Sequence, residues 1–374
     1  MKISPAQSAY LDFLRFVAAL AVLLGHMKQN GFDMAWMPLA RFSHEAVVVF
    51  FVMSGFIVYT STAARRGDFR AYVVARASRI YSVALPAVVF SVGLALTIGL
   101  VAPSLKTSIA SWREFSLADI VASLLFLNQS WSMTTDVPLN GPYWSLCYEV
   151  WYYIAFGVYF FAGSRLRWPL LALVGAVCGP AIVALFPLWC VGAWLAARRN
   201  RLPPLGQSTA WLIFIGGPLL ILVINQTDLA RIVAGYYFER VPGFWRLAVA
   251  QGFLTDYLIG LAIVAHLHAF SALPAGFCRA FERSRVRLAQ LAGFSFTLYL
   301  FHRPILELVS ALLPAAWHSA LAAAVIAPAI LGACWLISFV TERRLPQWRA
   351  ALNWLLRRPA CASSAPPAID SALR

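Results

Sequence analysis

Residues Leu11–Lys28 read LDFLRFVAALAVLLGHMK. An apolar run of about this length crosses the hydrocarbon core of a bilayer, yet this one carries Asp12, Arg15 and His26. Ionisable groups within a span are costly, face the protein interior or a water-filled cavity, and by default mark function. Arg15 and His26 are eleven residues apart, which on a helix returns almost to one face and separates them by roughly 16 Å along the axis. One stripe of this helix is therefore polar at two depths.

The rest of the 374-residue chain repeats the apolar signal. It is 61% hydrophobic and 12% charged, with a mean hydropathy of +0.73, well beyond an ordinary soluble globule. This predicts an all-α, polytopic bundle of transmembrane helices in contact with membrane lipids. The net charge of +15 does not point to nucleic acid, because the Arg residues sit in short loops between apolar runs, where positive charge sets orientation. The first apolar run lacks a small-residue cleavage pattern and reads as an uncleaved span. The six Cys show no paired spacing, so they predict packing, with neither a disulfide framework nor a metal site.

Apolar windows fall near 10–28, 46–62, 81–103, 143–162, 209–225, 251–270, 291–313 and 319–340. The stretch from Trp168 to Ala197, with Pro180 and Pro187 near its middle, is long for one span and short for two. Arg165 and Arg167 precede it and Arg198, Arg199 and Arg201 follow it. Keeping both basic clusters on one side requires two crossings, which brings the expected number to about ten with both termini cytoplasmic. Residues 1–348 read as one integral domain and 349–374 as a cytoplasmic tail, disordered from Pro359 onward.

Four groups of residues carry candidate chemistry. Asp12, Arg15 and His26 form the first; the bland account has Asp12 pairing with Arg15 and His26 capping the outer end, while a neutral imidazole facing a cavity serves as a base or accepts a group covalently. In YVVARASRIY, Arg76 and Arg79 share a face near the start of the third span, and two guanidinium forks suit a phosphate-bearing ligand. Topology alone accounts for Arg65, Arg66 and Arg70. In GPYWSLCYEVWYY, Ser145 and Glu149 are four residues apart beside Trp144. An interfacial aromatic belt explains Trp144 and the tyrosines, but Glu149 needs a partner, and His26 or His302 is the expected one. In GFSFTLYLFHRPIL, Tyr299 and His302 are three apart, and Pro304 frees a backbone carbonyl one turn earlier. His44, His266, His268 and His318 lack comparable company.

With these motifs in this order, the chain resembles the acyltransferase type 3 family of bacterial membrane acyltransferases over nearly its whole length. The resemblance rests on Arg15 and His26, the paired Arg76 and Arg79, the Ser-Gly-Phe turn in FFVMSGFIVY, Trp144-Ser145-Leu146 with Glu149, Tyr299 with His302, and Glu342-Arg343. Here Pro346 stands later than the usual Pro after Glu-Arg, and the usual acidic pair is reduced to Glu149 followed by Val150.

The resemblance implies transfer of an acyl group, most often acetyl, from a coenzyme A thioester to a carbohydrate hydroxyl at the bacterial inner membrane. Acetyl-CoA is then a donor substrate with no permanently bound cofactor, and the acceptor is an exopolysaccharide, O-antigen or lipid-linked sugar, in association with polysaccharide assembly machinery. In that scheme Arg15, Arg76 and Arg79 hold the donor, His26 and Glu149 are catalytic, and Asp12, Trp144, Ser145, Tyr299 and His302 line the cavity. A transporter or a non-catalytic assembly subunit is the competing expectation. The transporter reading lacks the internal repeats many such folds show, and the subunit reading gives no reason for titratable groups in several spans.

Overall fold

The computed structural model describes residues 3–64, 68–109, 111–131, 133 and 135–356, and within them the secondary structure is helical throughout, without strands. Arg65, Arg66, Cys361 and the expected disordered tail from Pro359 lie outside the described residues. The helices are α1 Pro5–Gln29, α2 Ser43–Ala64, α3 Phe69–Val101, α4 Leu117–Leu124, α5 Trp144–Phe161, α6 Ser164–Cys178, α7 Pro180–Arg198, α8 Gln207–Gln226, α9 Leu229–Arg240, α10 Phe253–Phe270, α11 Ala275–Arg283, α12 Arg285–Ala292, α13 Ser295–Leu312, α14 Ala320–Ile337 and α15 Leu345–Leu355.

Among the described residues, seven helical stretches are long and apolar enough to cross a membrane: Pro5–Gln29, Ser43–Ala64, Phe69–Val101, Pro180–Arg198, Gln207–Gln226, Phe244–Phe270 and Ala320–Leu355. Helices α5, α6 and α13 occupy the other expected windows but fall short of that standard. Helix α6 has 15 residues, and the 18-residue α5 and α13 are diluted by polar side chains, among them Glu149, His302, Arg303 and Glu307.

Local chemistry sets the boundaries. The Ser4 hydroxyl accepts from Gln7 N–H at 3.1 Å and Pro5 opens α1, an N-cap that satisfies a donor the helix cannot. Asp68 does the same for α3, accepting from Ala71 N–H at 3.0 Å. The 33 residues of α3 span about 50 Å, so Arg70, Arg76 and Arg79 lie in its opening turns, ahead of the window at 81–103. The long stretch after Trp168 breaks at Gly179 and Pro180. Gly179 has φ +86°, and a Cβ there would stand 2.6 Å from Trp131 N, so only glycine fits the turn. The expected domain boundary at 348/349 falls inside α15, which packs on α3.

Helix α2 is central and packs against α1, α7 and α10, while α13 packs against α1, α3 and α14. The α2–α7 contact is backbone to backbone: a Cβ on Gly55 would lie 2.0 Å from Trp189 O, and one on Gly192 would lie 1.9 Å from Val52 O. Small residues allow such approach where dispersion, not water exclusion, holds helices together. Gly55→Ala and Gly192→Ala must push α2 and α7 apart and are expected each to cost about 2 kcal/mol or more. Gly216→Ala, where the added methyl meets nothing within 4 Å, is expected to leave the melting temperature of the lipid-embedded protein unchanged or slightly raised.

Candidate active site

Between α1, α2, α3, α5 and α13 lies a cavity of about 300 Å³. Its charged lining is Arg15, Arg76, Arg79, Glu149 and Arg349, and Ser54, Ser145, Tyr153 and Tyr299 add hydroxyls. Three arginines expected to meet one ligand therefore do share one space.

Glu342 organises that end. Its Oε1 accepts from Arg79 Nη1 at 2.6 Å and lies 4.0 Å from Arg15 Nη2. Its Oε2 accepts from the Phe296 and Thr297 N–H groups, each at 3.2 Å, in the first turn of α13. One carboxylate thus neutralises part of two guanidinium charges and satisfies orphan donors at a helix N-terminus. The Arg79 guanidinium also lies over the Phe296 ring, 5.1 Å from its centroid. Arg15 additionally meets Asp12 at 3.7 Å, the i,i+3 pair expected from sequence.

Arg76 is held differently. Its Nη2 reaches Ser61 Oγ at 3.4 Å, its guanidinium lies 5.6 Å from the Tyr153 ring centroid, and its Nε is buried without a partner. An Arg in that condition has donor capacity left for an anionic ligand.

The expected pairing of Glu149 with a histidine is corrected by the structure. Glu149 Oε1 accepts from Ser54 Oγ–H at 2.7 Å and Tyr153 O–H at 2.5 Å, and Trp189 Nε1–H donates to Ser54 Oγ at 3.2 Å. Hydroxyls one helix away and one turn along the same helix satisfy the carboxylate, so no imidazole is required.

His26 bonds His302 instead, Nδ1 to Nε2 at 2.8 Å, with the rings 22° from parallel. His302 Nδ1 meets Leu298 O, also at 2.8 Å. Neither histidine lines the cavity; Tyr299, one turn before His302, does, and its hydroxyl meets Ser145 Oγ at 2.7 Å. Asp12, Trp144 and His302, expected in the lining, also stand outside it. Asp12 is turned to Arg15, Trp144 packs edge-on to Tyr148 and Phe51, and His302 is fully buried against His26.

The carbonyl freed by Pro304 is Leu300 O, and Asn140 Nδ2–H donates to it at 2.8 Å. The carbonyl expected from sequence to be freed is therefore sealed from a loop, and α13 continues unbroken past Pro304. Arg303, next in sequence, pairs with the buried Glu307 at 2.6 Å.

A model of the acyltransferase domain matches residues 8–339. The chain belongs to the acyltransferase type 3 family. It is a multi-pass membrane protein and an acyltransferase. No curated protein and no solved structure matches the chain.

In the sequence, Ser54 and Arg349 carry no role, Tyr153 stands only in an interfacial aromatic belt and Glu342 only in a closing motif. Ser54 stood in the quoted Ser-Gly-Phe turn and Tyr153 one turn after Glu149; nothing in the sequence singled out Arg349. A double-mutant cycle on the Arg79–Glu342 pair checks the organising role of the carboxylate. Glu342→Ala alone is expected to cost about 3 kcal/mol by stranding Arg79 and the α13 N-terminus, and Arg79→Met/Glu342→Ala less than the sum of the two singles. Thermal unfolding in lipid reads both.

Proposed function

We propose that the protein moves an acyl group, most often acetyl, from cytoplasmic acyl-CoA to a hydroxyl of a cell-surface or exported glycan. The observation that carries this reading is the single cavity that gathers Arg15, Arg76 and Arg79 and ends at Tyr299, one helical turn from the His26–His302 pair. In this reading ten helices cross a bacterial inner membrane with both termini cytoplasmic, α5, α6 and α13 completing the set, so the arginines face the compartment that holds the donor.

The chemistry follows from the charges. Guanidinium forks engage phosphate bidentately, so Arg76, with unspent donors, and the Arg15–Arg79 group hold the coenzyme A phosphates while the pantetheine arm runs toward His26. The roughly 16 Å between Arg15 and His26 along α1 is comparable to the reach of that arm. The acceptor oxygen attacks the thioester carbonyl carbon as His26 takes the hydroxyl proton. The carbon–sulfur bond then breaks, the imidazolium returns the proton to the thiolate, and the products are the ester and free coenzyme A thiol. Glu149, bound to Ser54 and Tyr153, shapes the wall of the donor cavity beside Arg76.

The test is consumption of radiolabelled acetyl-CoA by purified protein in lipid, with bacterial glycan acceptors supplied. His26→Ala is expected to lower kcat at least ~10²-fold, and Arg76→Ala to raise the donor KM with a smaller change in kcat. Absence of turnover in the wild type across several acyl donors and acceptors overturns the reading.

A further inference from the structure

We infer that His302 is a positioning residue that fixes the tautomer of His26, leaving the lone pair of His26 on Nε2. The inference builds on the reading of His26 as the base but stands on geometry of its own. His302 Nδ1 faces Leu298 O at 2.8 Å, and a carbonyl oxygen only accepts, so Nδ1 carries the proton. A neutral imidazole has one N–H, so His302 Nε2 is then an acceptor. Its partner at 2.8 Å, His26 Nδ1, must donate, and the second nitrogen of His26 is left unprotonated. Two hydrogen bonds set the state of three nitrogens and leave one free.

The alternative, a doubly protonated His302 donating to His26, places an imidazolium in a site with no exposure to solvent. A buried charge without a carboxylate is costly. The one acidic residue of α13, Glu307, is committed to Arg303 at 2.6 Å, and Glu149 is committed to Ser54 and Tyr153. On α1, Asp12 is turned to Arg15 at 3.7 Å, and Glu342 is taken by Arg79, so among the described residues these carboxylates are already committed.

The arrangement has a consequence for chemistry. A free histidine side chain favours the proton on Nε2, the opposite of what the pair enforces, so the fold holds the less common tautomer. Among the described residues, the hydrogen bond of the His26 ring is the one from Nδ1 to His302, and Nε2 takes no part in it. It is the nitrogen able to receive the acceptor proton, and on doing so His26 keeps its Nδ1–H bond to His302. The base can therefore charge and discharge without the ring turning. Leu298 O anchors the relay, and the Asn140 bond to Leu300 O holds α13 in place beside it.

The experiment is nitrogen NMR of histidine-labelled protein in lipid without any acyl donor, with the His26 signals assigned by their loss in His26→Ala. The expected result is a protonated, pyrrole-type Nδ1 and an unprotonated, pyridine-type Nε2 at His26. In His302→Leu the proton is expected to move to Nε2 and kcat to fall about 10²-fold with the donor KM unchanged. In His302→Gln, whose side-chain carbonyl still accepts from Nδ1, the wild-type tautomer and a kcat within about tenfold of wild type are expected. A wild-type His26 protonated on Nε2, or a His302→Leu protein that keeps Nδ1–H, overturns the inference. Because the spectra need no substrate, a correct tautomer in a protein that transfers no acyl group retires the proposed reaction and leaves the pair standing.

Discussion

A charged group within a bundle of apolar helices has to find its partners in the protein, and Glu342 shows how much structure that requirement organises. Its two oxygens meet Arg79, approach Arg15 and accept from two amides at the start of α13. Remove the carboxylate and two cations face each other across a helix N-terminus that is itself positive. The contact also joins α1, α3, α13 and the segment leading into α15. The arginine end of the cavity depends on this one side chain for both its charge balance and its shape.

The deeper polar groups obey the same requirement with neutral partners. Glu149 is held by two hydroxyls, one of them fixed by the Trp189 indole. The histidines satisfy each other and a backbone carbonyl. The carbonyl that Pro304 orphans is capped by Asn140. Even His266, away from the cavity, is closed between the Tyr10 hydroxyl and Phe214 O, and His44 meets the buried Asp256 at 2.7 Å. The closure is incomplete: Arg76 Nε, Tyr148 Oη and Glu45 Oε2 are buried without a partner among the described residues.

Much of this was legible in the sequence. Apolar windows located the long helices because a bilayer admits only segments whose backbone is internally satisfied. The split near Gly179 was legible from the length of the stretch, its prolines and the basic clusters on both flanks. Arg15, Arg76, Arg79, Ser145 and Tyr299 were singled out because polar groups in apolar runs are expensive, and they line one cavity. The partner of Glu149 was not legible: any hydroxyl or imidazole of the bundle satisfies a carboxylate, and sequence does not rank them. Arg349 escaped notice because a basic residue near a span reads first as a topology signal.

The sequence by itself determined that the chain is an all-helical membrane protein with ionisable residues at set depths, because cost in hydrocarbon and helical periodicity are properties of a single segment. Tertiary structure decided which of those residues meet. His26 and His302 are 276 positions apart and Arg79 and Glu342 are 263, separations at which no periodicity carries information. Those meetings follow from α13 packing on α1 and from the segment before α15 packing on α3, and from them come the cavity, its paired charges and the histidine pair.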